Sequence, residues 1–240
     1  MRLDKFLSSS GICSRKEAIK LTLKGALTVN GKTVKRSDVA ISPECDTVCL
    51  NGEPIRYEEF VYIMLNKPEG YISATEDGNL PVVTSLLSEA LQRRGVFPCG
   101  RLDKDTVGLM ILTDDGALSH ALLSPKRHVA KIYGFTLSSP LPKGAEKRFA
   151  QGVPLKDGIC KSARLCLSED RLSGEIVLTE GKYHQIKRMM QTEGSEVVFL
   201  ERRAFGGIPL DTALGRGEWR PLTQEEVTIL KNAPAKNKDL

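Results

Sequence analysis

Asp103 is the residue in this chain best placed to do chemistry. It lies in the run Gly100 to Thr113, where a glycine-framed turn leads directly into the apolar stretch Leu109 to Leu112. Such a run reads as a buried strand, closed at 113–116 by a tight turn, so the carboxylate just upstream sits at the mouth of a cleft. A carboxylate in that position can act as a nucleophile or a general base. The tetrapeptide Arg-Leu-Asp-Lys also occurs at Arg2 to Lys5. There Leu3, Phe6 and Leu7 follow helical spacing and no glycine precedes, so Asp4 is expected to be a solvated or capping residue of an amphipathic helix. The surroundings, not the tetrapeptide, single out Asp103.

Two further constellations could serve that acid. Lys131 and Tyr133 share one face of a strand, because side chains alternate. Glu180 to Met189 is a cation-rich turn entering a helix, and it contains His184 and Lys187. For His184 a structural or positioning role is expected, since Asp103 already supplies an acid or base.

The chain has 240 residues, 40% of them hydrophobic, enough for one large domain or two modest ones. No apolar stretch approaches the roughly 20 residues that span a bilayer, and the amino terminus is charged. A cytoplasmic protein without membrane contact is expected. The six cysteines never form a Cys-x-x-Cys pair and the three histidines are scattered, which argues against structural zinc. The cysteines read as small buried hydrophobes.

Charge is segregated. Residues 1–36 hold nine Lys or Arg, including Arg2, Arg15, Lys16, Lys20, Lys24 and Lys32, against only Asp4 and Glu17, while the whole chain carries +5. The first segment is therefore the expected polyanion contact. Ser14 to Glu17 has the form of a capping box, so a helix should run from Arg15 to near Gly25. Its Lys16, Lys20 and Lys24 stack on one face, where like charges cost roughly 0.2 to 0.5 kcal/mol per pair unless an anion relieves them. A basic hairpin follows around Asn30-Gly31, and a further strand, 46–50, turns at Asn51-Gly52.

This order of elements resembles the S4-type (alpha-L) RNA-binding module, on the motifs Arg2 to Leu7, Ser14 to Ala18 and Val29 to Lys32. After a polar break at 56–59, strand-like runs (60–65, 131–137, 162–167, 174–179, 197–202) alternate with helix-like ones (80–94, 143–152, 184–193, 224–231). Glycine turns at 77–78, 115–116 and 157–158 favour antiparallel pairing. We expect an α+β protein: an S4-type domain over 1–58, a catalytic domain over 59–232 with a mainly antiparallel mixed sheet flanked by helices, and a disordered tail over 233–240.

The motifs Met64 to Tyr71, Gly100 to Gly116, Ser124-Pro125, Lys131-x-Tyr133, Glu180 to Met189 and Gly217 to Thr223 occur in the order found in the RsuA-like pseudouridine synthases, which the chain resembles from Met1 to about Glu226. The resemblance implies that Asp103 is the catalytic aspartate, Tyr133 the ring packed against the target base and Lys187 the basic partner of the aspartate. It makes Arg101 the arginine that helps hold the target nucleotide out of its helix. Related families carry arginine at the position of Lys187, a fork in place of a point charge. The isomerisation breaks the C1'–N1 bond of uridine, turns the uracil over and rejoins it through C5, so no cofactor is implied. The pocket should be walled by Tyr133 and by residues near Ile208 to Leu210. Arg203 to Ile208 and the tail motif look most like the enzymes of 16S rRNA, which implies uridine 516, on 16S rRNA or a 30S assembly intermediate, as the target of a monomer. A 23S rRNA synthase of the same superfamily and a non-catalytic assembly factor are the alternatives. Asn66 and Lys67 are expected to line the approach to RNA or to cap a turn.

Overall fold

Ser14 opens its helix as its sequence demands. Its Oγ accepts from the Glu17 amide at 3.3 Å, and the Glu17 carboxylate takes the Ser14 N–H at 2.8 Å. In the computed structural model, which describes residues 1–236, the chain divides into two compact units. The first comprises residues 1–61 and 84–97, and the second 62–83 and 98 onward.

In the first unit α1 (Leu3–Ser9) and α2 (Arg15–Leu23) precede β1 (Leu27–Val29), β2 (Lys32–Thr33), β3 (Val48–Leu50) and β4 (Glu53–Pro54). The strands pair antiparallel in the order β2-β1-β3-β4. Asn30 and Gly31 both take positive φ, as do Asn51 and Gly52, so each Asn-Gly pair makes the turn its backbone freedom suits. Leu3, Phe6, Leu7, Ala18 and Leu27 bury the facing sides of helices and sheet in one core.

The expected boundary at 58/59 places every later residue in the catalytic domain, whereas 84–97 groups with the first unit. Backbone contact explains it: a Cβ on Gly11 would lie 2.2 Å from the Ala90 carbonyl oxygen, and Arg94 donates to the Glu58 carbonyl at 2.5 Å. The helix expected over 80–94 is also broken. A 3-10 turn at Val83–Leu86 precedes α3 (Glu89–Arg94), because Pro81 and the β-branched Val82, Val83 and Thr84 disfavour a helix and Ser88 starts a new one.

The second unit contains β5 (Tyr62–Lys67) and, after β6 (Phe97–Pro98) at the division between the units, β7 (Val107–Thr113), α4 (Gly116–Leu123), β8 (Lys131–Leu137), α5 (Ala145–Gln151) and the hairpin β9 (Pro154–Leu155) with β10 (Gly158–Ile159). It continues through β11 (Arg164–Leu167), β12 (Ser173–Leu178), α6 (Gln185–Thr192), β13 (Val197–Phe205), β14 (Ile208–Pro209), β15 (Trp219–Pro221) and α7 (Gln224–Lys236). Its main sheet runs β11-β12-β8-β13-β7-β5-β15, with β14 beside β13 and β6 beside β7. Pairing along this path is antiparallel except between β7 and β13, which are parallel. The sheet is thus mixed and mainly antiparallel, as expected of an α+β fold.

Every residue of β7 is buried, which is why the motif reads as an unbroken apolar run. Gly108 meets β13 so closely that a Cβ would lie 2.4 Å from the Arg202 carbonyl oxygen, and its φ is +98°. Only glycine fits there. The turn expected at 113–116 is instead the start of α4: the Asp115 carboxylate caps it by accepting from the Leu118 amide at 2.9 Å. The expected tail is corrected as well, since α7 continues to Lys236 with Leu230 and Ala233 buried in the core, and residues 237–240 lie outside the described residues. Among the described residues no helix is long and apolar enough to cross a membrane. Cys45 and Cys166 are exposed, against the expectation that the cysteines are buried.

Candidate active site

The loop that carries Asp103 is clamped from two sides before β7 begins. Ser73 Oγ donates to the Leu102 carbonyl at 2.8 Å and accepts from the Leu102 amide at 2.9 Å. From β5, the fully buried Lys67 sends its ammonium to the carbonyls of Pro68 (3.1 Å), Lys104 (3.2 Å) and Thr106 (2.8 Å). Burial pulls the Lys67 pKa down to about 8, even though the charges of Asp105, Asp103 and Glu69 push it up. Asn66 and Lys67 therefore do not line an RNA approach. Lys67 is an internal pin for the acid-bearing loop, and Asn66 donates to the Leu214 carbonyl at 2.7 Å and accepts from Arg216.

A cavity of about 560 Å³ opens over this loop, within the usual range for ligand clefts. Asp103, Tyr133, Lys187 and Arg101 all line it, so tertiary structure gathers the four residues expected from separate motifs. Lys187, one turn into α6, places Nζ 3.4 Å from Asp103 and 2.5 Å from Asp105. Partial burial pushes the Asp105 carboxyl up, but the hydrogen bond and charge of Lys187 outweigh it and hold the group below its ordinary value. Lys187 is thus shared between two carboxylates, a partner the sequence reading did not anticipate. Only Lys104 separates Asp103 from Asp105, and that i, i+2 spacing was the available signal.

His184 Nε2 lies 3.6 Å from Asp103, and the ring stacks on Tyr183 at 3.8 Å between centroids, with planes 16° apart. His184 adopts φ +46°, and the turn is tied by Gln185, which donates to the Glu180 carboxylate at 2.7 Å and accepts from the Lys182 amide at 2.8 Å. Tyr133 is 8% exposed. Arg101 is exposed and makes no hydrogen bond or ion pair among the described residues, leaving a whole guanidinium at the rim. The apolar walls are Leu102, Leu178, Ile186 and Leu200, whereas Ile208, expected near the pocket, is fully buried in the core with Phe205 and Leu230. β14 pairs Ile208 with Phe205, and both are packed in the core with Leu230 of α7 instead of lining the cavity.

The basic residues expected to grip RNA lie in the first unit. Arg15, Lys16, Lys20, Lys24 and Lys32 are exposed and without an ion pair among the described residues. Arg2 differs, because it pairs with Asp4 through bonds of 3.1 and 2.7 Å. Asp4 is 5% exposed and hydrogen-bonded to the Lys5 amide, so it is not solvated as expected. Arg2 neutralises a buried carboxylate as well as presenting charge.

Residues 61–192 match the family described as RNA pseudouridylate synthase, and residues 1–44 match the S4 domain. The chain is 43% identical over 98% of its length to the uncharacterized Bacillus subtilis RNA pseudouridine synthase YtzG, all of which is covered. It is 39% identical over 95% of its length to the Escherichia coli ribosomal small subunit pseudouridine synthase A, of which 98% is covered. A solved pseudouridylate synthase structure superposes with a TM-score of 0.68 at 38% identity, covering 96% of this chain and 99% of the other. With the fold, the clamped aspartate loop and these relatives in agreement, the chain belongs to the RNA pseudouridylate synthases of the RsuA type and carries an amino-terminal S4 domain.

Proposed function

We propose that this synthase isomerises one uridine of small-subunit ribosomal RNA, uridine 516 of 16S rRNA, with Asp103 as its essential group. The observation that carries the assignment of the acid is the 3.4 Å approach of Lys187 to Asp103 inside a cavity that also holds Tyr133 and Arg101. A carboxylate acts as nucleophile or base only while ionised, and burial disfavours that form unless a cation stands beside it. Lys187 is that cation. Tyr133 forms a buried wall against which a flat base can pack, and the unengaged Arg101 offers donors to a displaced nucleotide or its phosphate. Extruding a nucleotide from folded RNA costs a few kcal/mol, which Arg101 and the basic S4 face offset. The small-subunit target is supported by the relatives named for it, which align with nearly the whole chain.

The test has two parts. Asp103→Asn should abolish pseudouridine formation while RNA binding persists, and an active Asp103→Asn protein refutes the role of the acid. Pseudouridine mapping of ribosomal RNA from cells with and without the protein should show loss at uridine 516 alone. Loss at a large-subunit position refutes the target.

A further inference from the structure

Arg202, Lys131 and Thr106 line the same cavity, yet none has a part in the chemistry above. Arg202 is 2% exposed. Its Nε donates to the Leu109 carbonyl at 2.7 Å, and the other contact of the guanidinium is the Met110 sulfur at 3.7 Å. Among the described residues it has no carboxylate within ion-pair distance, and its neighbour Glu201 directs its own carboxylate to Arg203 and Arg216. Lys131 gives Nζ to the Val129 carbonyl at 3.0 Å, and its ammonium and the Arg202 guanidinium lie 5.5 and 5.1 Å from the centroid of the same Phe205 ring. Among the described residues Lys131 also has no carboxylate within ion-pair distance, and Glu180 acts on it only from further away. The Thr106 hydroxyl is buried without any hydrogen-bond partner. Across the strands Arg202 is the direct partner of Tyr133, so guanidinium and phenol ring leave the sheet on one face.

Two desolvated cations held near one ring, with an orphan hydroxyl lining the same cavity, are unfavourable in an empty protein, and an anion with hydrogen-bonding edges would complete them. The proposed reaction generates one. When the C1'–N1 bond breaks, its electron pair leaves with the base, and the charge spreads over N1, O2 and O4 of the detached uracil. Asp103 meets the electron deficiency at C1', by bonding there or by taking the C2' proton, and is released when C5 joins C1'. C5 then loses its proton while N1 gains one, so the overall change is an isomerisation without net charge. We propose that Arg202, Lys131 and Thr106 form a leaving-base subsite, in which the two cations stabilise the detached uracil anion and the hydroxyl hydrogen-bonds its edge. This deepens the function proposed above and depends on it. Preorganised donors aimed at charge that develops only during the reaction accelerate the chemical step more than they tighten binding.

The experiment compares wild type with Arg202→Gln, Arg202→Lys and Thr106→Val on ribosomal RNA from cells lacking the protein. Single-turnover pseudouridine formation is measured for each, and RNA affinity is measured in the Asp103→Asn background. Arg202→Gln should slow the single turnover by about 100- to 1,000-fold, as loss of one such donor does elsewhere, with RNA affinity changed by less than about 3-fold. Arg202→Lys should recover part of the rate. With 5-fluorouridine at the target, cleavage of C1'–N1 should suffer less from Arg202→Gln, because the departing base is more acidic and needs less stabilisation. A rate unchanged by Arg202→Gln, a loss explained by affinity alone, or equal penalties for the two bases overturns the inference. Should Arg202→Gln fail to fold, Thr106→Val with the two bases decides on the same criteria. A wild-type protein that forms no pseudouridine in this RNA refutes the target assignment instead.

Discussion

Replacing Lys67 with Met should open a pH-dependent gap in stability between variant and wild type of about 3 kcal/mol. The wild-type ammonium is buried, and burial lowers its pKa from 10.5 to about 8. Below pH 8 the lysine is charged in both folded and unfolded chains, and the folded state bears the full desolvation penalty. Between about pH 8 and 10.5 the unfolded chain still holds the proton that the folded chain has released, so wild-type stability rises with pH by about 1.4 kcal/mol per unit. Methionine has no such dependence. At pH 7 the variant escapes a charged burial worth about 3 kcal/mol but leaves three carbonyls without their donor, at about 1 to 3 kcal/mol each, so there it should lie between equal to wild type and about 6 kcal/mol less stable. The gap then opens in favour of wild type as the solution becomes alkaline. Lys131, also lowered to about 8 by burial, and the buried Cys13, Cys99 and Cys160, raised by burial, titrate in both proteins and cancel in the difference. Urea unfolding of both proteins at half-unit steps from pH 7 to 10 measures the gap. A difference that stays flat refutes the idea that Lys67 is a charged, desolvated pin. The same variant should lower turnover at least about 10-fold with RNA affinity preserved, because the carbonyls of Lys104 and Thr106 beside Asp103 lose their anchor.

Asp105→Asn should keep turnover within about 10-fold of wild type, since Lys187 remains 3.4 Å from Asp103, while Asp103→Asn loses it. Equal losses in a product assay would show that the two carboxylates act as one unit. Replacing Lys16, Lys20 and Lys24 together with Ala should reduce the slope of log affinity against log salt by about 2 to 3, as expected for three phosphate contacts. An unchanged slope removes that helix face from the RNA interface. Gly108→Ala should destabilise the second unit by several kcal/mol, because the new methyl meets the Arg202 carbonyl oxygen at 2.4 Å and the residue must hold φ +98°. Wild-type-like denaturation would refute that reading of the motif.

Local chemistry made much of this molecule legible from its residues. The capping box at Ser14, the Asn-Gly turns and the apolar run of β7 depend on neighbours within a few positions, and each formed where its spacing placed it. Charge segregation in residues 1–36 is likewise a property of the chain itself. Motif order together with resemblance marked Asp103, Tyr133, Lys187 and Arg101, and all four line one cavity. The misreadings came where distant partners decide. The stretch 80–94 is broken by its own proline, β-branched residues and serine, but its grouping with residues 1–61 depends on backbone contacts with Gly11 and Glu58. Asp115 reads as a turn residue until α4 and Tyr62 claim its carboxylate. Lys67 looks like a surface lysine beside a proline, and only the packing of β5 against the acid-bearing loop buries it. The pairing of Lys187 with both Asp103 and Asp105 joins positions more than eighty residues apart, across a sheet whose parallel pairing of β7 with β13 no local pattern announces. Burial, charge and close approach are properties of three-dimensional neighbourhoods, so the amino-acid order and its resemblance could name the reacting acid and Lys187, while the fold alone set Asp105 on the same ammonium and Lys67 beneath the loop.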